Sequence, residues 1–345
     1  MRIGYVPYDC SLTLPGDARR FCAYAEKRGL KYEVVKENQA YDLLILTERC
    51  DLTKWANFNS GKIVFDLIDS YLALPFWTPR NSLRGTYKYL SGAHASWEID
   101  YRESVSKLCK VADAVVCTTE EQKSAIKTYC DNVHIILDIH SSVVSTEKAD
   151  YSQQGKAIKI VWEGLGINVN QLGVIKDALL YLSKSYNLEL HIITDPIIPR
   201  FFGKLGSVST HEMAVNTFPN SYFHSWDKTT CAQLICDCDL AVIPIDTAPL
   251  NRGKPENKMV LLWKMGMPVI STDIPAYRRA MSGANLDYTC SNTSDWIRKM
   301  KELFDSADLR EYAGCSGRQY ANRWFSEERI LSLWDELFLS IGFKF

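Results

Sequence analysis

KPENKMVLLWKMGMPVISTDIPAYRRAM, residues 254–281, reads as a helix start, an apolar helix, a glycine turn, a short buried strand and a proline-marked loop in one unbroken run. Pro255 suits a first helical position, where its missing N–H costs nothing. The turn that follows leaves backbone N–H groups without intrahelical acceptors, and Glu256, Asn257 and Lys258 are displayed there. A helix start that carries a lysine favours a phosphate. Gly266 is expected to end the helix, and Pro268-Val269-Ile270-Ser271 to form a strand whose carboxyl end opens into Thr272-Asp273. Open α/β sheets bind their ligands at that end.

Outward from this run, short apolar segments alternate with helical stretches. In the first half they are Ile3 to Val6, Leu43 to Leu46, Ile63 to Leu67, Ala114 to Cys117 and His134 to Leu137. In the second half they are Ile158 to Trp162, Leu188 to Ile193, Tyr222-Phe223, Leu240 to Ile243 and Val269 to Ser271. The pattern predicts two parallel βα sheets, an α/β chain. Ser141 to Lys156 is polar and has no apolar period, so a linker is expected there, with a domain boundary near Asp150. Leu172, Ile175, Leu179 and Leu182 fall on one helix face, as a sheet-covering helix requires. Ser326 with Glu327 and Glu328 opens a last helix whose stripe is Ile330, Trp334, Leu337 and Ile341.

The chain has 345 residues, which suits two domains of about 150 residues each. Its 40 basic and 41 acidic residues are mixed without long like-charge blocks, so a general nucleic-acid partner is not expected. Eleven scattered cysteines fit reduced thiols better than a disulfide framework. Cys236 and Cys238 have no second pair at zinc spacing, and His211-Glu212 lacks the second histidine of a zincin helix, so no metal is expected. MRIGYVPYD enters as a strand, not as a signal peptide, and no apolar run approaches the roughly 20 residues of a membrane span. The expected location is cytoplasmic, with peripheral association at the inner face of a membrane left open.

Asn257-Lys258, the apolar helix, Gly266-x-Pro268-Val269-Ile270 and Asp273-x-Pro275 resemble the donor-binding segment of GT-B glycosyltransferases, especially the retaining family four. Cys238-Asp239-Leu240-Ala241-Val242-Ile243-Pro244 resembles the strand before that family's donor loop. The resemblance implies two Rossmann-like doubly wound domains facing a central cleft. Residues 1–150 would bind the acceptor, 151–325 the nucleotide sugar, and 326–345 would cross back to the N-terminal domain. The implied reaction moves a sugar from a nucleotide-activated donor to a hydroxyl of a glycan or lipid-linked acceptor, in glycan or polysaccharide biosynthesis. It needs no cofactor and no bound metal, and a partner enzyme at a membrane is a further expectation.

The resemblance also distributes roles. Gly164 and Gly166, in Trp162-Glu163-Gly164-Leu165-Gly166, stand where the family places a glycine loop beside the donor phosphates; a plain strand-to-loop turn is the other reading. Asn257 and Lys258 would hold the phosphates. Arg200 and Lys204 are candidates for a charge clamp on the leaving diphosphate or for plain surface charges. Trp226 would face the base or fill the core. The family's Glu-x7-Glu pair is missing, because Gly253 and Leu261 occupy its positions; Glu256 or Asp246 are the candidate substitutes. In the first half, Pro15-Gly16-Asp17-Ala18-Arg19-Arg20-Phe21 offers Arg19 to the acceptor, and at least one of its two arginines is expected in solvent. Asp66 and Asp69 bracket a strand end, and Asp69 is the candidate to orient or deprotonate an acceptor hydroxyl, or to cap the next turn. His94 and His140 rank below it. Ala112 to Gln122 reads as a strand and a self-capped helix start. A nucleotide-sugar epimerase and a binding subunit without catalysis are the alternatives.

Overall fold

The computed structural model describes residues 1–36, 39–75, 79–153, 155–199 and 206–345. The chain forms two compact units. One comprises Met1–Ile139, Ala248–Pro255 and Glu327–Phe345, the other His140–Thr247 and Glu256–Ser326.

The first unit is built on β1 (Ile3–Val6), β2 (Glu33–Val34), β3 (Leu43–Thr47), β4 (Lys62–Asp66), β5 (Ala114–Cys117) and β6 (Val133–Ile135). They pair in parallel in the order β2-β1-β3-β4-β5-β6. Leu43 to Leu46 and Ala114 to Cys117 are fully buried, which is why they read as unbroken apolar runs: helices cover both faces of such a sheet. Thr119 caps the helix Glu120–Ile126 in a capping box closed by Gln122, the self-capped start expected there. The last helix, Glu327–Ser340, belongs to this unit. Its Trp334 stacks on Tyr24 at 5.7 Å and Phe338 on Tyr24 at 5.4 Å, while Asp335 pairs with Arg28 at 2.6 Å.

The second unit contains β7 (Ile158–Glu163), β8 (Leu188–Thr194), β11 (Ser221–Ser225), β12 (Leu240–Ile243), β13 (Val269–Thr272) and β14 (Thr289–Cys290), parallel in the order β11-β8-β7-β12-β13-β14. A separate antiparallel ribbon pairs β9 (Ile197–Pro199) with β10 (Ser207–Ser209). Leu172, Ile175, Leu179 and Leu182 are buried as expected, although residues Gly166–Ile175 wind as a 3₁₀ helix before the α-helix Lys176–Leu182. Gly266 ends the helix Asn257–Lys264 with φ of 76°, a left-handed backbone that glycine takes without a Cβ penalty.

Within residues 141–156, read as a linker, Lys148 and Tyr151 anchor the chain on this unit. The Lys148 ammonium is buried on the carbonyls of Cys236 (3.1 Å) and Cys238 (2.8 Å), and the Tyr151 hydroxyl donates to the Gly266 carbonyl at 2.8 Å. A polar stretch without apolar period can still be packed when each polar group finds a backbone partner.

Candidate functional site

Strand order locates the ligand end of each unit. In the second, β7, β8 and β11 run one way from the centre and β12, β13 and β14 the other, the 3-2-1-4-5-6 order of dinucleotide-binding sheets. The reversal lies between β7 and β12, so the loops after Glu163 and after Ile243 flank the switch point where ligands enter such sheets.

Lys258 reaches that point. It stands in the first turn of the helix Asn257–Lys264, and its ammonium donates to the Glu163 carbonyl at 2.5 Å while lying 4.9 Å above the Trp162 ring. A Cβ on Gly164 would collide with this ammonium and come within 3.1 Å of the Trp162 ring, so only glycine leaves Lys258 its place. Gly166 donates its N–H to Asp195 Oδ2 at 3.1 Å, and the Asp195 carbonyl accepts from the Thr210 hydroxyl at 2.6 Å. From the other side of the switch point, Asp246 and Gln171 exchange two hydrogen bonds, of 2.6 and 2.9 Å. A cation, glycine backbone and a helix start thus converge at one strand end, a setting that suits an anionic oxygen.

The helix begins at Asn257, with Glu256 at its N-cap and without a side-chain cap, so Pro255 precedes the cap and does not occupy the first helical position. Glu256 lies close enough to Tyr277 for its charge to add to the burial that raises that phenol's pKa. Trp226 packs half-buried against the apolar core, and its backbone N–H donates to the Thr194 carbonyl at 3.0 Å. Arg200 and Lys204 lie outside the described residues. Leu261 is buried in the core, and a Cβ on Gly253 would collide with Ser70 Oγ in the first unit, so neither position of the missing glutamate pair has room for a carboxylate.

In the first unit the order reverses between β1 and β3, which points to the loops after Val6 and Thr47. The loop after β1 does not expose an arginine. Arg19 and Arg20 are both buried, and Asp17, fully buried, accepts from the Tyr5 hydroxyl (2.6 Å) and from the Tyr8 and Asp9 N–H groups (2.8 and 3.0 Å). Asp66 is likewise no open carboxylate: it is clamped by Arg20.

Asp69 follows β4, accepts from the Tyr71 hydroxyl at 3.1 Å and donates its N–H to Glu48 Oε2 at 2.9 Å. Glu48, directly after β3, was missed by sequence reading. Burial, the neighbouring Asp69 charge and then Asp66 push its carboxyl up to about 8. The single signal was its place, one residue beyond an unbroken apolar strand. His94 is buried against Tyr101, stacked at 6.0 Å, and burial pulls its pKa down. Among the described residues no three His, Cys, Asp or Glu side chains are grouped to hold a metal, and no helix is long and apolar enough to cross a membrane.

No protein family profile and no curated protein matches the chain. Solved structures do. Anabaena HepE in complex with UDP and glucose is 14% identical, with a TM-score of 0.67 over 99% of this chain and 100% of that one. Sucrose-phosphate synthase from Thermosynechococcus elongatus is 15% identical, with a TM-score of 0.59 over 98% of this chain and 80% of that one. TarM is 16% identical, with a TM-score of 0.56 over 86% of this chain and 54% of its own, so the chain spans about half the length of TarM. At this identity the likeness is one of fold: the chain has the GT-B architecture of these glycosyltransferases, two parallel six-stranded α/β units with the last helix in the first.

Proposed function

We propose that the chain is a glycosyltransferase that binds a nucleotide-sugar donor on its second unit. The observation that carries this is Lys258, seated on the Glu163 carbonyl beside a glycine that its own ammonium requires, at the sheet's switch point. A leaving nucleoside diphosphate develops negative charge, and an ammonium with the N-terminus of a helix offsets it without a divalent ion. Gly164, Gly166 and Asn257 would lie along the phosphates, Asp246 and Glu256 toward the sugar, and Trp226 toward the base. HepE was solved with UDP and glucose, and a mutant S. aureus TarM was solved with UDP, which supports a uridine nucleotide as the first donor to try.

On the first unit, Asp69 is the carboxylate assigned to the acceptor hydroxyl, while Arg19, buried, would have to leave its packing to reach the acceptor; the acceptor is a glycan or lipid-linked sugar, and retention of anomeric configuration follows the family resemblance. Polysaccharide biosynthesis on the cytoplasmic side of a membrane is the setting this reading supports. A second reading, a nucleotide-binding subunit without turnover, draws on the closed Gly253 and Leu261 positions.

The test is a thermal-shift screen against UDP, GDP, CMP, ADP and their sugar conjugates, because a ligand of the native state raises the melting temperature by mass action. A selective shift that shrinks in Lys258→Ala is expected. No shift with any nucleotide would end the donor-site reading, and a shift without sugar transfer would favour the subunit.

A further inference from the structure

Thr194 ends β8 with its side chain fully buried and its hydroxyl without a hydrogen-bond partner. A threonine without a partner is poorly placed there, since a valine of the same shape would bury no polar atom. The neighbouring Thr210 hydroxyl is satisfied, donating to the Asp195 carbonyl at 2.6 Å. Ser271 Oγ is also unpartnered, but it stands on β13, two strands away from β7.

Register places Thr194 beside the Lys258 ammonium. Glu163 pairs with Ile193, and the Gly164 N–H continues the ladder by donating to the Ile193 carbonyl at 3.2 Å, so Gly164 and Thr194 are cross-strand neighbours about 5 Å apart. Side chains alternate along a strand, so Thr194 shares a face with Ile192 and with Trp162, the residue opposite Ile192. On that face Lys258 lies over the Trp162 ring, at the point where a Gly164 Cβ would project. The backbone of Thr194 is fixed as well, because its carbonyl takes the Trp226 backbone N–H at 3.0 Å.

We infer that the Thr194 hydroxyl donates a hydrogen bond to the same phosphate oxygen that the Lys258 ammonium attracts. The inference rests on the donor-site reading and adds a specific contact to it. The free protein holds an unsatisfied hydroxyl, and the bound diphosphate supplies its acceptor. Stability and affinity then respond to the hydroxyl with opposite sign.

Thr194→Val and Thr194→Ser separate the two, with calorimetric titration of UDP and thermal melts of the free proteins. Thr194→Val is expected to melt at or above the wild-type temperature and to bind UDP about tenfold more weakly, the scale of one lost hydrogen bond to a charged group. Thr194→Ser is expected to keep wild-type affinity within about threefold. Equal UDP affinity in wild type and Thr194→Val would overturn the inference alone, as would a lower melting temperature in Thr194→Val, which would make the hydroxyl structural. Wild-type protein that binds no nucleotide would remove the donor site and the inference together.

Discussion

Arg20 and Asp66, 46 residues apart in sequence, meet as a two-pronged ion pair sealed from solvent, Nε donating to Oδ2 at 2.8 Å and Nη2 to Oδ1 at 2.5 Å. The remaining nitrogen, Nη1, donates to the Ile136 carbonyl at 2.9 Å and faces Asp138 Oδ1 at 3.3 Å. One guanidinium thereby joins the N-cap of the helix Phe21–Arg28, the end of β4 and the segment that follows β6. The planar fork of arginine suits this arrangement in a way that the point charge of lysine does not.

Breaking such a pair costs more than the pair itself contributes, because the surviving charge stays buried. Arg20→Met is therefore expected to destabilise the first unit by about 3–5 kcal/mol. Asp66→Asn added to it should restore part of the loss, since no unpaired carboxylate then remains. Urea unfolding followed by circular dichroism measures both. A double variant no more stable than Arg20→Met would show that the stranded Asp66 charge is not the cause.

Glu48 gives a pH signature. Its carboxyl, ordinarily near 4.5, is pushed up to about 8, chiefly by burial and next by the Asp69 charge; the Asp69 N–H and Arg49 oppose the shift. The folded state therefore keeps a proton that the unfolded chain releases above pH 4.5. Between about pH 4.5 and 8 the folded state binds more protons, so this group's contribution to stability falls as pH rises and levels off above the folded value. Glu48→Gln keeps the shape and an acceptor for the Asp69 N–H but cannot titrate. Relative to that variant, the wild type should lose up to about 1.4 kcal/mol per pH unit across the window. Parallel urea midpoints for the two proteins from pH 5 to 8 would place the Glu48 carboxyl in its ordinary range.

The places where sequence reading stopped share a physical cause. β5 and β12 were legible because a strand covered on both faces is apolar throughout, and β3 and β7 carry the same signal in Leu43 to Leu46 and Ile160 to Trp162. The edge strands β2 and β14 are two residues long each and leave no pattern to read. Gly164 and Lys258 could be singled out one at a time, yet their dependence on each other rests on a contact across 94 positions, 258 minus 164. Arg20 belongs to a pair of arginines of which at least one was expected in solvent, and Glu48 was not singled out. What buries them is the sheet order, which brings Asp66 to one and Asp69 to the other. A charge next to an apolar strand end is the trace that a sequence can offer for such a residue, and it is shared by many exposed ones.

The absent glutamate pair is fixed by packing, which makes its restoration a sharp test. Ser70 Oγ donates to the Gly253 carbonyl at 3.0 Å, and a methyl on Gly253 would also press on the Ser70 Cβ, at 2.6 Å. Gly253→Ala is expected to cost about 1–3 kcal/mol as an overpacking change, and Ser70→Gly in the same chain to recover part of that cost despite the lost hydrogen bond. Leu261→Glu places a carboxyl among the buried residues of the second core and should cost more than about 3 kcal/mol or neutralise the acid by a raised pKa. Thermal melts of the three variants, alone and with UDP, read the outcome. If the chain transfers sugar, it does so without a carboxylate at either position, and a well-folded Gly253→Glu, Leu261→Glu double variant with higher transfer activity than wild type would show instead that the two sites can accept the pair.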